Sequence, residues 1–303
     1  MPSPFQHRQT PPTSRRPAHA NRASTPAPEL VDPAFLLKAL GGVLATALIL
    51  AYTTLCIVYV RGAWQLVLSP SRTVATTPSS QGLRFDEIHF GVDASGEPQL
   101  DGWWIPADSP NSSTVLMLHG ATGNMAGALP MAATLHSLNL NVLLFDYRGY
   151  GHSGAQHPTE STMQTDAHTA LDYLLNQRHL TAASIVVYGH DLSAPLALNL
   201  CATTTVNCPA IILDAPDGDT LARVAQDPRS RAVPASLLFH DRFPLAEPLA
   251  ASTVPKLLIV HNNNEAPAIL HKAHDPSMIL AVQPGDDASL HNGIQRFLDD
   301  NLR

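Results

Sequence analysis

Two hydrophobic patterns divide the chain. Over residues 39–60 the sequence ALGGVLATALILAYTTLCIVYV runs without a charge between Lys38 and Arg61. That is enough for the roughly 20 residues a membrane-spanning helix needs. Tyr59 and Trp64 stand near its far end as interfacial anchors. From Gly82 onward, short apolar runs alternate with helical spacings. Residues 85–90 and 99–105 read as strands around the turn Asp93-Ala94-Ser95-Gly96. Further strands are predicted at 114–118, 141–145, 185–188, 211–213, 257–260 and 279–282. Between them lie helical stretches: one ends at Leu138, another carries Met163, Ala167, Ala170 and Leu174, and a third covers 192–201. Ser161 and Gln164 read as a capping box for the second, and Ile294, Phe297, Leu298 and Leu302 face inward from a closing helix. Continuous apolar strands alternating with helices predict an α/β domain whose mostly parallel sheet is covered on both faces.

The plan is therefore a tail (1–33), a transmembrane anchor (34–60), a juxtamembrane segment (61–81) and a folded domain (82–303). The tail, rich in Pro, Ser, Thr, Ala and Arg, buries too little to offset its ordering entropy and is expected to be disordered. The apolar run is too long for a signal-peptide core, and no small-x-small cleavage site follows it. Arg8, Arg15, Arg16, Arg22 and Lys38 precede the anchor while Arg61 and Arg72 follow it, which favours N-in, C-out with an extracytoplasmic domain.

A net charge of −7 with no Lys/Arg-rich run argues against a nucleic-acid partner. Cys56, Cys201 and Cys208 form neither a disulfide framework nor a zinc site. Cys201 and Cys208 either stay as buried thiols or pair in an oxidising compartment. No phosphate loop, dinucleotide fingerprint or calcium loop is present, so neither cofactor nor metal is expected.

The chemistry-bearing stretch is Val187-Tyr188-Gly189-His190-Asp191-Leu192-Ser193. A strand ending in glycine and followed at once by a helix is the setting of a nucleophile elbow, G-x-S-x-G, and here Asp191 stands at the serine position. Leu118-His119-Gly120-Ala121 ends another strand, so the Ala121 and Leu192 N–H groups are placed to form an oxyanion hole. In Asp146-Tyr147-Arg148-Gly149-Tyr150-Gly151 the charged pair is expected to pin a glycine-rich loop. His119 and His190 read as loop-packing residues.

Together with Asp101-Gly102-Trp103-Trp104-Ile105-Pro106, these segments resemble the α/β-hydrolase superfamily over most of 61–303. They are most similar to its membrane-anchored branch of bud-emergence-type proteins and depalmitoylating serine hydrolases. The resemblance implies that fold, and an ester, thioester or amide substrate near a membrane. It also implies an elbow nucleophile, a histidine base after the last strand and an acid after the preceding one. Glu265, in His261-Asn262-Asn263-Asn264-Glu265, is the match for the acid. The base position in Pro284-Gly285-Asp286-Asp287-Ala288 holds alanine, and the nearest histidine is His291.

Three readings of the elbow stand. Asp191 is a nucleophile, as in the similar haloalkane dehalogenases and epoxide hydrolases, with His291 as base. Or the site has lapsed, and the Asp191 carboxylate occupies the oxyanion hole at the helix N-terminus. Or Ser193 is the nucleophile, from within the first turn of a buried helix. Altered, weak or absent serine-hydrolase activity is expected, with an Asp-nucleophile hydrolase or a non-catalytic binding or scaffold module as rivals.

Overall fold

In a computed structural model, residues 32–202, 208–261 and 268–302 are described. The predicted disordered tail falls almost wholly outside them. By internal contacts the chain divides into two units, Met1–Ala51 and Tyr52–Arg303. Helix α1 (Pro33–Gly62) contains the division.

In the first unit, α1 exposes Phe35, Leu37, Val43, Leu44 and Leu48 along its length. A bare water-exposed helix of this composition is unfavourable, because large apolar side chains gain nothing from it. The helix is long and apolar enough to cross a membrane.

The second unit is built on an eight-stranded sheet. Its strands are β1 (Asp86–Val92), β2 (Pro98–Ile105), β3 (Thr114–Leu118), β4 (Asn141–Phe145), β5 (Ile185–His190), β6 (Ile211–Asp214), β7 (Lys256–Val260) and β8 (Ser277–Ala281). Their spatial order is β1-β2-β4-β3-β5-β6-β7-β8. The strands from β3 to β8 pair in parallel, while β2 is antiparallel to both β1 and β4. Every residue of β3, β6 and β7 is buried, as a parallel strand covered on both faces must be. In β1 the burial alternates, the mark of a strand covered on one face.

Helices α3 (Glu160–Asp172) and α4 (Ala194–Cys201) contribute Met163, Ala167, Leu196 and Leu200 to the core on one face of the sheet. On the other face lie α2 (Leu129–Ser137) and α8 (Asp287–Asn301), with Leu135, Ile294 and Phe297 buried. The segment between β6 and β7 carries three short helices, α5 (Thr220–Gln226), α6 (Ala235–Leu238) and α7 (Ala246–Ala251).

Three local expectations need correction. The capping box of α3 is formed by Thr159 and Thr162, each hydroxyl accepting from the other's backbone N–H, two residues before the predicted Ser161. Threonine at the fourth position does the work expected of Gln164, because its short hydroxyl reaches the same donor. Tyr59 is not an interfacial anchor: it is buried, with its hydroxyl 2.9 Å from Ser230 Oγ. Trp64 is stacked on His157 at 5.7 Å. Of the two alternatives left open for Cys201 and Cys208, the structure has the second: they form a disulfide that ties the end of α4 to the approach to β6.

Candidate active site

The site lies at the C-terminal ends of β3, β5, β6 and β7, where ligands of open parallel sheets bind. Strand β5 brings its chain to Gly189, where helix α4 packs so closely that a Cβ would sit 2.6 Å from Ser193 O. Asp191 follows with φ +53°, a left-handed backbone that an L-residue adopts only under constraint from its surroundings. This is the strained apex of a nucleophile elbow, carrying a carboxylate.

The end of β3 meets that apex. A Cβ on Gly120 would lie 2.8 Å from His190 Cδ2 and 3.2 Å from Asp191 Cβ, so only glycine lets the two loops approach. Their contact is a hydrogen bond, Ala121 N–H donating to Asp191 Oδ2 at 3.2 Å. The peptide that supplies this N–H is held from behind: His119 Nδ1 lies 2.8 Å from Gly120 O. A carbonyl only accepts, so Nδ1 carries the proton. Tyr150 donates from its hydroxyl to Ala121 O at 2.8 Å, fixing the next peptide too. Of the predicted oxyanion-hole pair, Ala121 is thus engaged by the elbow carboxylate, and Leu192 follows Asp191 in the buried turn into α4.

Ser193 is fully buried, and its Oγ donates to His119 O at 2.5 Å. A hydroxyl has one proton to give, so Tyr147 OH, 2.9 Å away, must donate to Ser193 Oγ. Burial raises the Tyr147 phenol well above its ordinary range, and it stays neutral. With its proton committed and no access, Ser193 is a packing residue, which removes the third reading.

Asp146 and Arg148 pin the glycine-rich loop as expected, but through different partners. Asp146 accepts from Met125 N–H at 2.7 Å, while Arg148 pairs with Asp166 at 2.6 Å. Burial is the largest influence on the Asp166 carboxyl and raises it, opposed by its bonds to Arg148.

On the far side the predicted base does not reach the elbow. Ala288 is exposed in the first turn of α8. His291 lies on the same helix with its Nδ1 3.3 Å from Ser137 Oγ, beside Leu138 and Leu140 in a separate small cavity. The helical spacing that groups it with Ile294 and Leu298 turns it toward α2, not toward Asp191. Glu265 lies outside the described residues.

A different acid and two histidines occupy the cleft. Asp214, the last residue of β6, is buried, and its Oδ2 accepts from Tyr188 OH at 2.5 Å. Its Oδ1 is 2.5 Å from His261 Nε2, and His190 Nδ1 lies 3.2 Å from Oδ2. Burial pushes the Asp214 carboxyl up, but His190, His261 and Tyr188 together outweigh that and hold it below the usual carboxylate range. The His261 imidazole is raised, chiefly by its bond to Asp214. His190 is raised as well, because Asp214 and Asp191 overcome the opposing effect of burial. His119, Ala121, His190, Asp191, Asp214 and His261 all line one cleft of about 690 Å³. Sequence reading passed over this cluster. Its one signal was an aspartate ending an apolar strand, where a buried charge requires a partner.

Among the described residues no group of His, Cys, Asp and Glu is arranged to hold a metal ion.

Comparison with known proteins matches residues 113–247 to a family model described as the alpha/beta hydrolase fold. Protein bem46 of Schizosaccharomyces pombe is 33% identical over 147 residues, covering 48% of each chain. That match spans about half of the yeast protein. An uncharacterized protein of Mycobacterium tuberculosis is 31% identical over 223 residues, covering 68% of this chain and 77% of its own. Among solved structures, an esterase of Pyrococcus furiosus superposes with a TM-score of 0.60 at 20% identity, covering 78% of this chain and 98% of the other. A haloalkane dehalogenase variant from Agrobacterium tumefaciens does so with a TM-score of 0.51 at 15% identity, covering 74% and 99%. At those identities the structural likeness speaks for the fold. With the sheet order, the elbow at the end of β5 and these matches in hand, the chain belongs to the α/β-hydrolase superfamily.

Proposed function

We propose that this chain is a membrane-anchored member of the superfamily that does not perform serine-type acyl transfer and keeps its cleft as a binding site. The observation that carries this reading is the hydrogen bond from Ala121 N–H to Asp191 Oδ2. In a serine hydrolase that N–H stabilises the oxyanion of the tetrahedral intermediate. Here a resident carboxylate already holds it, and the expected base position is Ala288. The anchor is α1, placed N-in and C-out by the arginines of the tail, and the Cys201–Cys208 disulfide suits an oxidising compartment. The bound molecule is then an acyl-bearing or other small compound supplied near the membrane.

The test is hydrolysis of an ester, thioester and amide panel by the full chain in detergent. Wild type and Asp191→Ser should both stay at the uncatalysed rate, the second because the expected base position holds Ala288 in place of an imidazole. Adding Ala288→His to Asp191→Ser should raise ester hydrolysis above either. Turnover by wild type would refute the reading.

One observation favours a second reading: the His190–Asp214–His261 cluster shares the cleft with Asp191. With Oδ2 held by Ala121, Oδ1 is the oxygen left to attack carbon, expelling a halide or opening an epoxide to give an Asp191 ester. His261 gives its Nε2 proton to Asp214, so neutral His261 has Nδ1 to take a proton from water. That water would add to Asp191 Cγ, and the alcohol would leave. Turnover in ¹⁸O-water separates the readings, because only this chemistry places the label in the Asp191 side chain.

A further inference from the structure

The segment between β6 and β7 is too short and irregular for a lid over the cleft, yet it is tied to two places that matter. At its start, Asp217 N–H donates to Asp191 O at 3.3 Å, so it leaves from the elbow itself. In its middle, the 3₁₀ turn Pro228–Ala232 packs against the last turns of α1. There Ser230 and Tyr59 are both buried and joined by their hydroxyls at 2.9 Å. Tyr59, Ala63, Val67 and Leu68 enter the main core of the domain, so the end of the apolar helix is part of that core.

This packing fixes what stands beside the helix where its apolar stretch stops. Leu55 and Val58 line a groove of about 330 Å³ with Leu66, Arg229 and Ala232, and both are well exposed. Arg61 closes α1, and Arg229 and Arg231 flank Ser230; all three are exposed. From Pro228 to His240 the chain carries two arginines and no acid. Asp227 caps the turn and holds the Arg229 guanidinium through Nε and Nη2 at 2.9 and 3.1 Å, so Arg231 and Arg61 are the arginines without that partner and Arg229 meets a phosphate only in competition with Asp227. Val233 and Pro234 separate the turn from α6, where Leu237, at 73%, is the most exposed large apolar side chain among the described residues. Arg229 shares a groove with the last turns of α1, and an exposed arginine and a projecting leucine follow it in the chain, which supplies the two chemistries a bilayer surface calls for, phosphate and hydrocarbon.

We propose that the Pro228–Ala232 turn and α6 form a docking surface for anionic phospholipid headgroups in the leaflet that faces the domain, whichever side of the membrane that is. Arg61 and Arg231 meet phosphates, Arg229 does so in competition with Asp227, and Leu237 inserts beneath them. This rests on the reading of α1 as a membrane anchor, and it adds a second attachment that runs through the chain to the elbow.

The test is hydrogen exchange on the full chain in nanodiscs of phosphatidylcholine alone and of phosphatidylcholine with about one-third phosphatidylserine. Amides over 228–238 should exchange roughly fivefold more slowly in the anionic discs. Arg229→Glu with Arg231→Glu should abolish that difference while leaving exchange in β5 unchanged, which shows that the variant is folded. Equal exchange in both discs, with the chain resisting extraction by alkaline carbonate, overturns the docking surface and leaves the anchor standing. Extraction by carbonate overturns both. Protection that is equal in the two discs and grows with protein concentration assigns the surface to a second copy of this chain, and also overturns the proposal.

Discussion

The two sides of the cleft are built under different constraints. On the elbow side, Gly120, Gly189, Ala121, Ser193 and Tyr147 are locked by close approach and buried hydrogen bonds. On the opposite side, α8 carries exposed Ala288 and a distant His291, and Glu265 follows β7 outside the described residues. The elbow side holds helix to sheet, so its geometry is demanded by folding whatever chemistry it serves. Ala288, at the expected base position, is exposed, so folding places no such demand on that residue. Fold and catalysis are separable here because different residues carry them.

The largest effect that would sharpen this contrast is at Gly189. Gly189→Val drives a side chain into Ser193 O and Ala197 Cβ and should cost about 3 kcal/mol in urea unfolding of the detergent-solubilised chain. A change within experimental error would mean that the elbow is not the packing hinge described. Next comes Asp214→Asn. It removes the buried charge that pairs His190 and His261 and leaves Tyr188 a weaker acceptor, a loss of about 1–3 kcal/mol.

The same cluster predicts a pH dependence. His190 and His261 are raised in the folded chain, so their contribution is complete below the ordinary histidine range and is lost as pH rises through their folded values. Asp214 is lowered, so its contribution is present above the ordinary carboxylate range and fades as pH falls toward its folded value. Tm should therefore be highest in mildly acidic buffer and decline on the alkaline side. Asp214→Asn should flatten that decline, and a profile unchanged by the substitution would break the assignment. The smallest effect is on the opposite side: His291→Ala should shift stability by less than about 0.5 kcal/mol and leave ligand binding in the cleft unaltered.

The sheet was legible because its central strands are continuous apolar runs bounded by turn residues, and each was located to within one or two residues. The elbow was legible for the same reason: Gly189 followed by a helix is a local pattern. What escaped was set by distance in the chain. Asp214, His190 and His261 come from three strand ends, and no spacing rule joins them. Tyr59 reads as a membrane-interface aromatic until Ser230, 171 residues on, is placed against it. His291 shows the reverse error: its helical face was read correctly, but that face meets Ser137.

The central claim is that the Asp191 carboxylate occupies the oxyanion-hole amide as a resident group and does no covalent chemistry. It is tested most directly by exposing the full chain to alkyl halides, epoxides and esters in ¹⁸O-water and mapping the mass of the peptide containing Asp191. The account predicts no adduct and no label in that side chain, with substrates recovered intact. An Asp191 ester, or ¹⁸O in the Asp191 carboxylate after turnover, would contradict it and make this cleft a working carboxylate-nucleophile site.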